Sequence, residues 1–190
     1  MCIRDRVTIA PICRDNLDEI ICALENTKQC QIIITLGGVS KGNYDLIRKH
    51  YRKLGIKILV DGIPIKPGKP LIIGKLDSKI IFCLPGNPIS SIVCSKLFIV
   101  ALIKKMLGEK LDSITTRKAL LSEDIKIPIS QREHYMRAFT YQEAATQYVK
   151  PFSQQDSSLH SVLIKSNCLL IIPPGTSSNF KDQIVDIIDF

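Results

Sequence analysis

No tryptophan occurs in the 190 residues, and phenylalanine and tyrosine bring the aromatic share to only 6%. That scarcity argues against a stacking platform for single-stranded nucleic acid. No C-x-x-C pair is present. The seven cysteines (Cys2, Cys13, Cys22, Cys30, Cys83, Cys94 and Cys168) are odd in number and several lie in apolar runs. They read as buried thiols of a reducing compartment, not as a disulfide framework or a metal site. The three histidines, His50, His134 and His160, form no H-x-x-x-H pair. No apolar run reaches the roughly 18 residues of a membrane span. Met1 to Arg6 is charged with no apolar core behind it, which does not read as a signal peptide. G-x-S-x-G, Walker A and G-x-G-x-x-G motifs are all lacking.

What is present is a 45% hydrophobic chain with a net charge of +8. It can bury a real core, in one domain or in a domain plus a smaller one. The charge suits nucleic acid, an acidic membrane face or an anionic small molecule. The lysines are spread along the chain, so composition leaves these three open.

"VTIAPIC", residues 7–13, reads as a short strand, and Asp15 or Asn16 as the cap of a helix running to about Thr27 with Leu17, Ile20, Ile21 and Leu24 on one face. "QIIIT", 31–35, reads as a strand buried on both faces. A helix over 44–54 closed by Gly55 and a strand over 56–60 complete a β-α-β unit. Residues 61–70 read as irregular, and "LIIGKL" and "KIIFCL" as a hairpin about Asp77-Ser78. A helix then runs from Pro88 to about Leu107, closed by Gly108. The expected architecture is a three-layer α/β domain over 7–110, followed by a small all-β domain over 111–190 built from short strands, "SVLIKSNCLLIIPPG" among them.

Three loops stand where open α/β sheets bind ligands. Gly37-Gly38 ends a strand, and a glycine pair lets backbone N–H groups approach an oxyanion, although a plain turn explains it as well. Asn43 and Asp45 suit a helix start; Asp45 also suits a hydrated cation or the reacting groups. Lys66-Pro67-Gly68-Lys69-Pro70 holds two lysines in a stiff frame, which suits anion binding, although a solvated loop explains it as well. In Leu84-Pro85-Gly86-Asn87-Pro88, Asn87 is the natural N-cap and Pro88 the first helical residue, with Ser90 and Ser91 in the first turn. Local rules leave Pro85-Gly86 unexplained, and a shaped anion or heterocycle pocket is the sharper reading.

Together "TLGGVSKGNYD", "IKPGKPLIIGKL" and "FCLPGNPIS", with "REHYMRAF" and "SNCLLIIPPGT" beyond them, resemble the carboxyl-terminal half of the molybdopterin molybdenumtransferase family, the MoeA-like and gephyrin E-domain-like group. The resemblance covers about residues 7–190. It implies a molybdopterin-binding domain lacking its opening strands, then a small terminal β domain. It also implies insertion of molybdate into adenylylated molybdopterin with release of AMP and Mg²⁺ support, in a cytoplasmic homodimer whose other subunit completes the cleft. Neither nucleic acid nor a membrane is an expected partner. By the same resemblance Asp45, Lys66 and Lys69 are catalytic, Asp45 also facing the metal. Gly37, Gly38, Ser40, Gly68, Pro85, Gly86, Asn87, Pro88 and Ser90 bind the anionic pterin. Leu36 stands where the family has Ser or Thr, Gln31 where it has Asp, and Lys41 where it has a small residue. Family members are about twice as long, so an incomplete sequence is expected. The rival readings are the adenylyltransferase that makes the same intermediate and a non-catalytic molybdopterin-binding or scaffold module.

Overall fold

A computed structural model describes residues 6–27, 29–39, 46–110, 114–156 and 160–190. Asn16 caps the first helix, α1 (Leu17–Glu25), its side chain accepting the Asp18 N–H at 2.9 Å. Strand β1 (Ile32–Leu36) follows, then α2 (Leu46–His50), β2 (Ile56–Asp61) and the two-residue β3 (Ile65–Lys66). β4 (Ile72–Leu76) and β5 (Lys79–Leu84) form the expected hairpin, with Asp77 at φ 54° in its turn.

The first sheet runs in the order β1-β5-β4-β2, with β1 parallel to β5 and both β4 pairings antiparallel. α1 and α2 cover one face: Leu17, Ile20, Ile21, Leu24 and Ile47 pack with Ile33, Ile56, Ile72 and Ile81. The other face meets a long helical segment made of α3 (Pro88–Cys94), a π turn (Ser95–Ile99) and α4 (Val100–Met106). Val93, Cys94, Leu97 and Ile99 there pack with Leu71, Phe82 and Leu84. The three-layer arrangement is the expected one.

Two sequence expectations fail here. Residues 7–13 form no strand, and Val7, Ile9 and Ile12 are 86–98% exposed. β1 is an edge strand rather than one buried on both faces, with Ile34 and Leu36 open to solvent. Both follow from one fact: among the described residues nothing pairs with the outer edge of β1.

The second half curls into a barrel of β6 (Arg117–Leu121), β8 (Glu133–Glu143), β9 (Thr146–Pro151), β10 (Cys168–Ile172) and β12 (Ile184–Asp189), with a small β7–β11 ladder (Ile125–Lys126, Ser178–Asn179) beside it. Its order β10-β12-β6-β9-β8 returns to β10, so the ring has no free edge. Leu121, Met136, Ala138, Val149, Leu170 and Ile187 fill it. This half is not purely β as expected. Residues 161–165, read as part of a strand, fall in a short helix, α5 (His160–Lys165). The segment 61–70 is not wholly irregular either: β3 pairs in parallel with β8, Lys66 opposite His134. Tyr135, Leu169 and Ile188 on the outside of the barrel join the core under α3, so one hydrophobic cluster ties both halves together.

Candidate functional site: an anion cleft where the sheet edge meets the barrel

The register of the first sheet gathers the loops. Leu36 lies opposite Leu84, Ile72 opposite Cys83, and Asp61 opposite Ile72. The carboxyl ends of β1, β5 and β2 and the start of β4 therefore share one sheet edge. From that edge leave the Gly37-Gly38 turn, the Pro85–Pro88 turn and the 62–71 loop.

The first two turns touch. The Gly37 N–H donates to the Leu84 carbonyl at 3.0 Å, and a Cβ on Gly86 would lie 3.6 Å from the Gly37 Cα. Gly37 and Gly38 have φ of +90° and +70°, backbone that side chains resist. At the helix start, the Asn87 side-chain oxygen accepts the Ser90 N–H at 3.2 Å and the Ser90 hydroxyl at 3.4 Å. The Ser91 hydroxyl donates to the Pro85 carbonyl, fixing the Pro85-Gly86 bend over the first turn of α3.

The 62–71 loop is cross-braced. Gly62 donates to the Leu71 carbonyl, Ile63 to that of Lys69 and Leu71 to that of Gly68. Gly68 has φ +121°, and a methyl group there would sit 2.6 Å from Cys94 Sγ and 2.8 Å from Ile65 Cδ1. Close packing against α3 thus accounts for the glycine at 68. Burial holds the Cys94 thiol up at about 12, so it is protonated at neutral pH. The Lys66 and Lys69 side chains are exposed.

A cavity of about 150 Å³ opens between this loop, α3 and the barrel, lined by Lys66, Pro67, Ile89, His134, Tyr135, Arg137 and Gln155. Lys66 lines it and Lys69 does not. Arg137 is buried; its guanidinium donates to the Asp156 carbonyl at 2.9 Å, while Gln155 brackets its backbone. Burial first, then the charges of Lys66, Arg132 and Arg137, lower His134 to about 4, leaving the imidazole neutral at pH 7 in a strongly positive setting. The Tyr135 hydroxyl donates to Glu133.

Ser40 and Asp45 lie outside the described residues. Among the described residues no three His, Cys, Asp or Glu side chains form a metal-holding group. Asp61, the carboxylate at this edge, is ion-paired with Arg48 of α2. The described residues alone do not fit a Mg²⁺ site. No disulfide joins the six described cysteines; Cys83, Cys94 and Cys168 are buried as expected, whereas Cys13 and Cys22 are exposed. No described helix is long and apolar enough to cross a membrane.

The sequence reading passed over Arg132, His134 and Arg137. "REHYMRAF" carried a usable signal: period-2 alternation puts His134, Met136 and Ala138 on one face of a strand and Tyr135 and Arg137 on the other. What it lacked was the pairing of β3 with β8, which brings that strand to Lys66.

A three-layer α/β unit with glycine and proline turns at one sheet edge, joined to a small barrel that adds cations, defines a ligand-binding α/β protein with an appended β module. The chain belongs to the molybdopterin-binding family: the model described as "probable molybdopterin binding domain" matches residues 6–105, and that of the "MoeA C-terminal region (domain IV)" matches 118–190. The molybdopterin molybdenumtransferase of Bacillus subtilis (strain 168) is 27% identical over 175 residues, covering 92% of this chain and 40% of that protein. The Haemophilus influenzae protein of the same name is 33% identical over 164 residues, 85% and 40% of the two chains. The crystal structure of a molybdopterin biosynthesis moeA protein from Pyrococcus horikoshii OT3 superposes with a TM-score of 0.67 at 25% identity, covering 93% of this chain and 40% of that one. The chain thus spans about two fifths of the length of these curated relatives.

Proposed function

We propose that this chain is the ligand-binding part of a molybdenum cofactor biosynthesis enzyme that inserts molybdate into adenylylated molybdopterin and releases AMP. The observation that carries the reading is convergence: two glycine turns and a braced lysine loop leave one sheet edge, and Lys66 of that loop lines a cavity with the barrel's Arg137. The names of the relatives, and the likeness of the three loops to that family, support it.

In this reading Lys66 and Lys69 neutralise phosphate or molybdate oxygens. The turns at 37–38 and 85–88 offer backbone donors for developing charge, which saves reorganisation during transfer, while the Gly37 N–H itself ties the first turn to Leu84. Gly68, Pro85, Asn87, Pro88 and Ser90 hold the walls in shape, and Ser40 contacts the ligand. Asp45 positions the exchanging oxyanion. Mg²⁺ support belongs to the reading through the family likeness alone, and no step is routed through the metal. The reading includes a cytoplasmic homodimer whose other subunit completes the cleft.

The barrel after the α/β unit favours insertion over the adenylyltransferase reaction. AMP release on adding molybdate separates an enzyme from a non-catalytic module. Calorimetry with adenylylated molybdopterin tests the cleft itself. Lys66→Ala/Lys69→Ala is expected to bind at least about tenfold more weakly, the value of one charge-assisted hydrogen bond or more; unchanged affinity contradicts the reading.

A further inference from the structure

At Arg137 strand β8 outruns its neighbour β9, and one side chain takes over. Ala138 pairs with Pro151, the last residue of β9. Past that point the Phe152 N–H still reaches the Arg137 carbonyl, at 3.1 Å. Gln155 then supplies a peptide-like group where the ladder has ended. Its Oε1 accepts the Arg137 N–H at 3.0 Å, and its Nε2 donates to the Arg137 carbonyl at 2.9 Å. Only a carboxamide side chain offers a peptide's acceptor and donor together. Nε2 also donates to the Phe152 carbonyl at 2.7 Å, so the oxygen and the nitrogen of the side chain are both tied to backbone.

The tether does more than close a ladder. Ser153, Gln154 and Asp156 are exposed, whereas Gln155 between them turns inward and is half-buried. The next residue holds the other end of the same arginine: the Asp156 carbonyl accepts a guanidinium N–H at 2.9 Å. Two successive residues thus fix Arg137 at its backbone and at its tip. Any residue at 137 would use the backbone bonds; the bond to the guanidinium serves this arginine alone. Arg137 is buried yet lines the larger cavity, together with Gln155, Lys66 and Pro67. A long flexible cation ordinarily gives up rotamer freedom when a ligand arrives, and one already held does not. Position matters as much, since a misplacement of about 1 Å can cost a large factor at such a site.

We propose that Gln155 is a positioning residue, whose carboxamide acts through the Arg137 backbone to present the Arg137 guanidinium to the anionic ligand of the larger cleft. The inference rests on the cleft reading and adds to it a residue that acts through another. The geometry assigns this role to Gln155 and not to the exposed Gln154 beside it.

The test is calorimetry with adenylylated molybdopterin on the 190-residue chain, arranged as a double-mutant cycle. Arg137→Met is expected to weaken binding about tenfold, the loss of one charge-assisted hydrogen bond. Gln155→Met keeps the side-chain length, removes the carboxamide, and is expected to cost about the same factor. With Arg137→Met in place, Gln155→Met is expected to change affinity by less than about twofold, because its route to the ligand is gone. Gln147→Met is the control. It removes a side-chain bond on the same hairpin, from Nε2 to the Tyr141 carbonyl at 2.9 Å. It is expected to lower the melting temperature and leave affinity unchanged. Unaltered affinity in Gln155→Met, losses that add in the double variant, or an equal loss from Gln147→Met overturns the inference. A measurement without ligand stands beside the cycle: the Arg137 Nε–H NMR signal is expected to be resolved in the parent and lost in Gln155→Met, and an unchanged signal also overturns it. Should Lys66→Ala/Lys69→Ala leave binding unchanged, the cleft reading fails on its own, and the NMR comparison still decides whether Gln155 holds Arg137.

Discussion

The four-stranded sheet and the five-stranded barrel solve the same problem in opposite ways. Both must satisfy strand edges and bury apolar faces. The barrel closes on itself, and Leu121, Ala138, Val149, Cys168, Leu170 and Ile187 inside it are wholly excluded from solvent. The sheet ends at β1, whose outer edge is unpaired among the described residues and whose Leu36 is 73% exposed. The Gly37-Gly38 turn hangs from this less supported strand. Arg137 and His134 hang from the closed one. An open edge is a liability that proteins ordinarily cover. A closed ring needs no cover and makes a firm post for Arg137 and His134.

That contrast sets the scale of what substitutions do. The largest effect is expected inside the ring: Leu170→Ala removes a fully buried side chain from a closed core and should cost about 2–5 kcal/mol in urea unfolding. Leu36→Ala on the open strand should change stability by no more than about 0.5 kcal/mol. Equal costs would erase the distinction between the two regions.

Next comes the junction. Gly68→Ala forces a methyl against Cys94 and Ile65 at a positive φ, and should cost about 2–4 kcal/mol from overpacking and backbone strain together. Pairing it with Cys94→Ala should recover part of that loss, because only the steric share is relieved. A smaller effect is expected at the cap. Asn87→Ala frees the Ser90 N–H and should cost about 1 kcal/mol, read from the same unfolding curves.

An effect of a different kind is a slope with pH. His134 is held at about 4 in the folded state, below its ordinary 6.5. Between those values the unfolded chain binds the extra proton, so this group lowers stability as pH falls from 6.5 toward 4. His134→Gln should flatten that part of the pH–stability curve. NMR titration of the wild-type imidazole should give a midpoint near 4.

Much of the α/β half was legible because its signals are local. Asn16 and Asn87-Pro88 announce helix starts through their own side chains, and Asp77-Ser78 announces a hairpin. The exposure of Ile34 and Leu36 was not legible. An isoleucine run reads the same in a central strand and at an edge, and only sheet order distinguishes them. The run Ser161-Val162-Leu163-Ile164 favours a strand locally, yet it forms α5, with the Ser166 hydroxyl donating to the Val162 carbonyl at 2.6 Å at its end. The π turn at Ser95–Ile99 has no sequence mark. At the cleft, the glycine and proline loops were visible as motifs. Arg132, His134 and Arg137 were hidden, because their role depends on β3 meeting β8 across a long stretch of chain.

The claim that binds these observations is that the sheet-edge turns and the barrel strand β8 form one cleft for an anionic ligand. The most direct measurement is an amide chemical-shift map of the 190-residue chain titrated with adenylylated molybdopterin. The expected result is a single saturable set of shifts at 37–38, 66–69, 85–90 and 134–137. Shifts confined to the turns with none on β8, or spread over surface lysines without saturation, would contradict it.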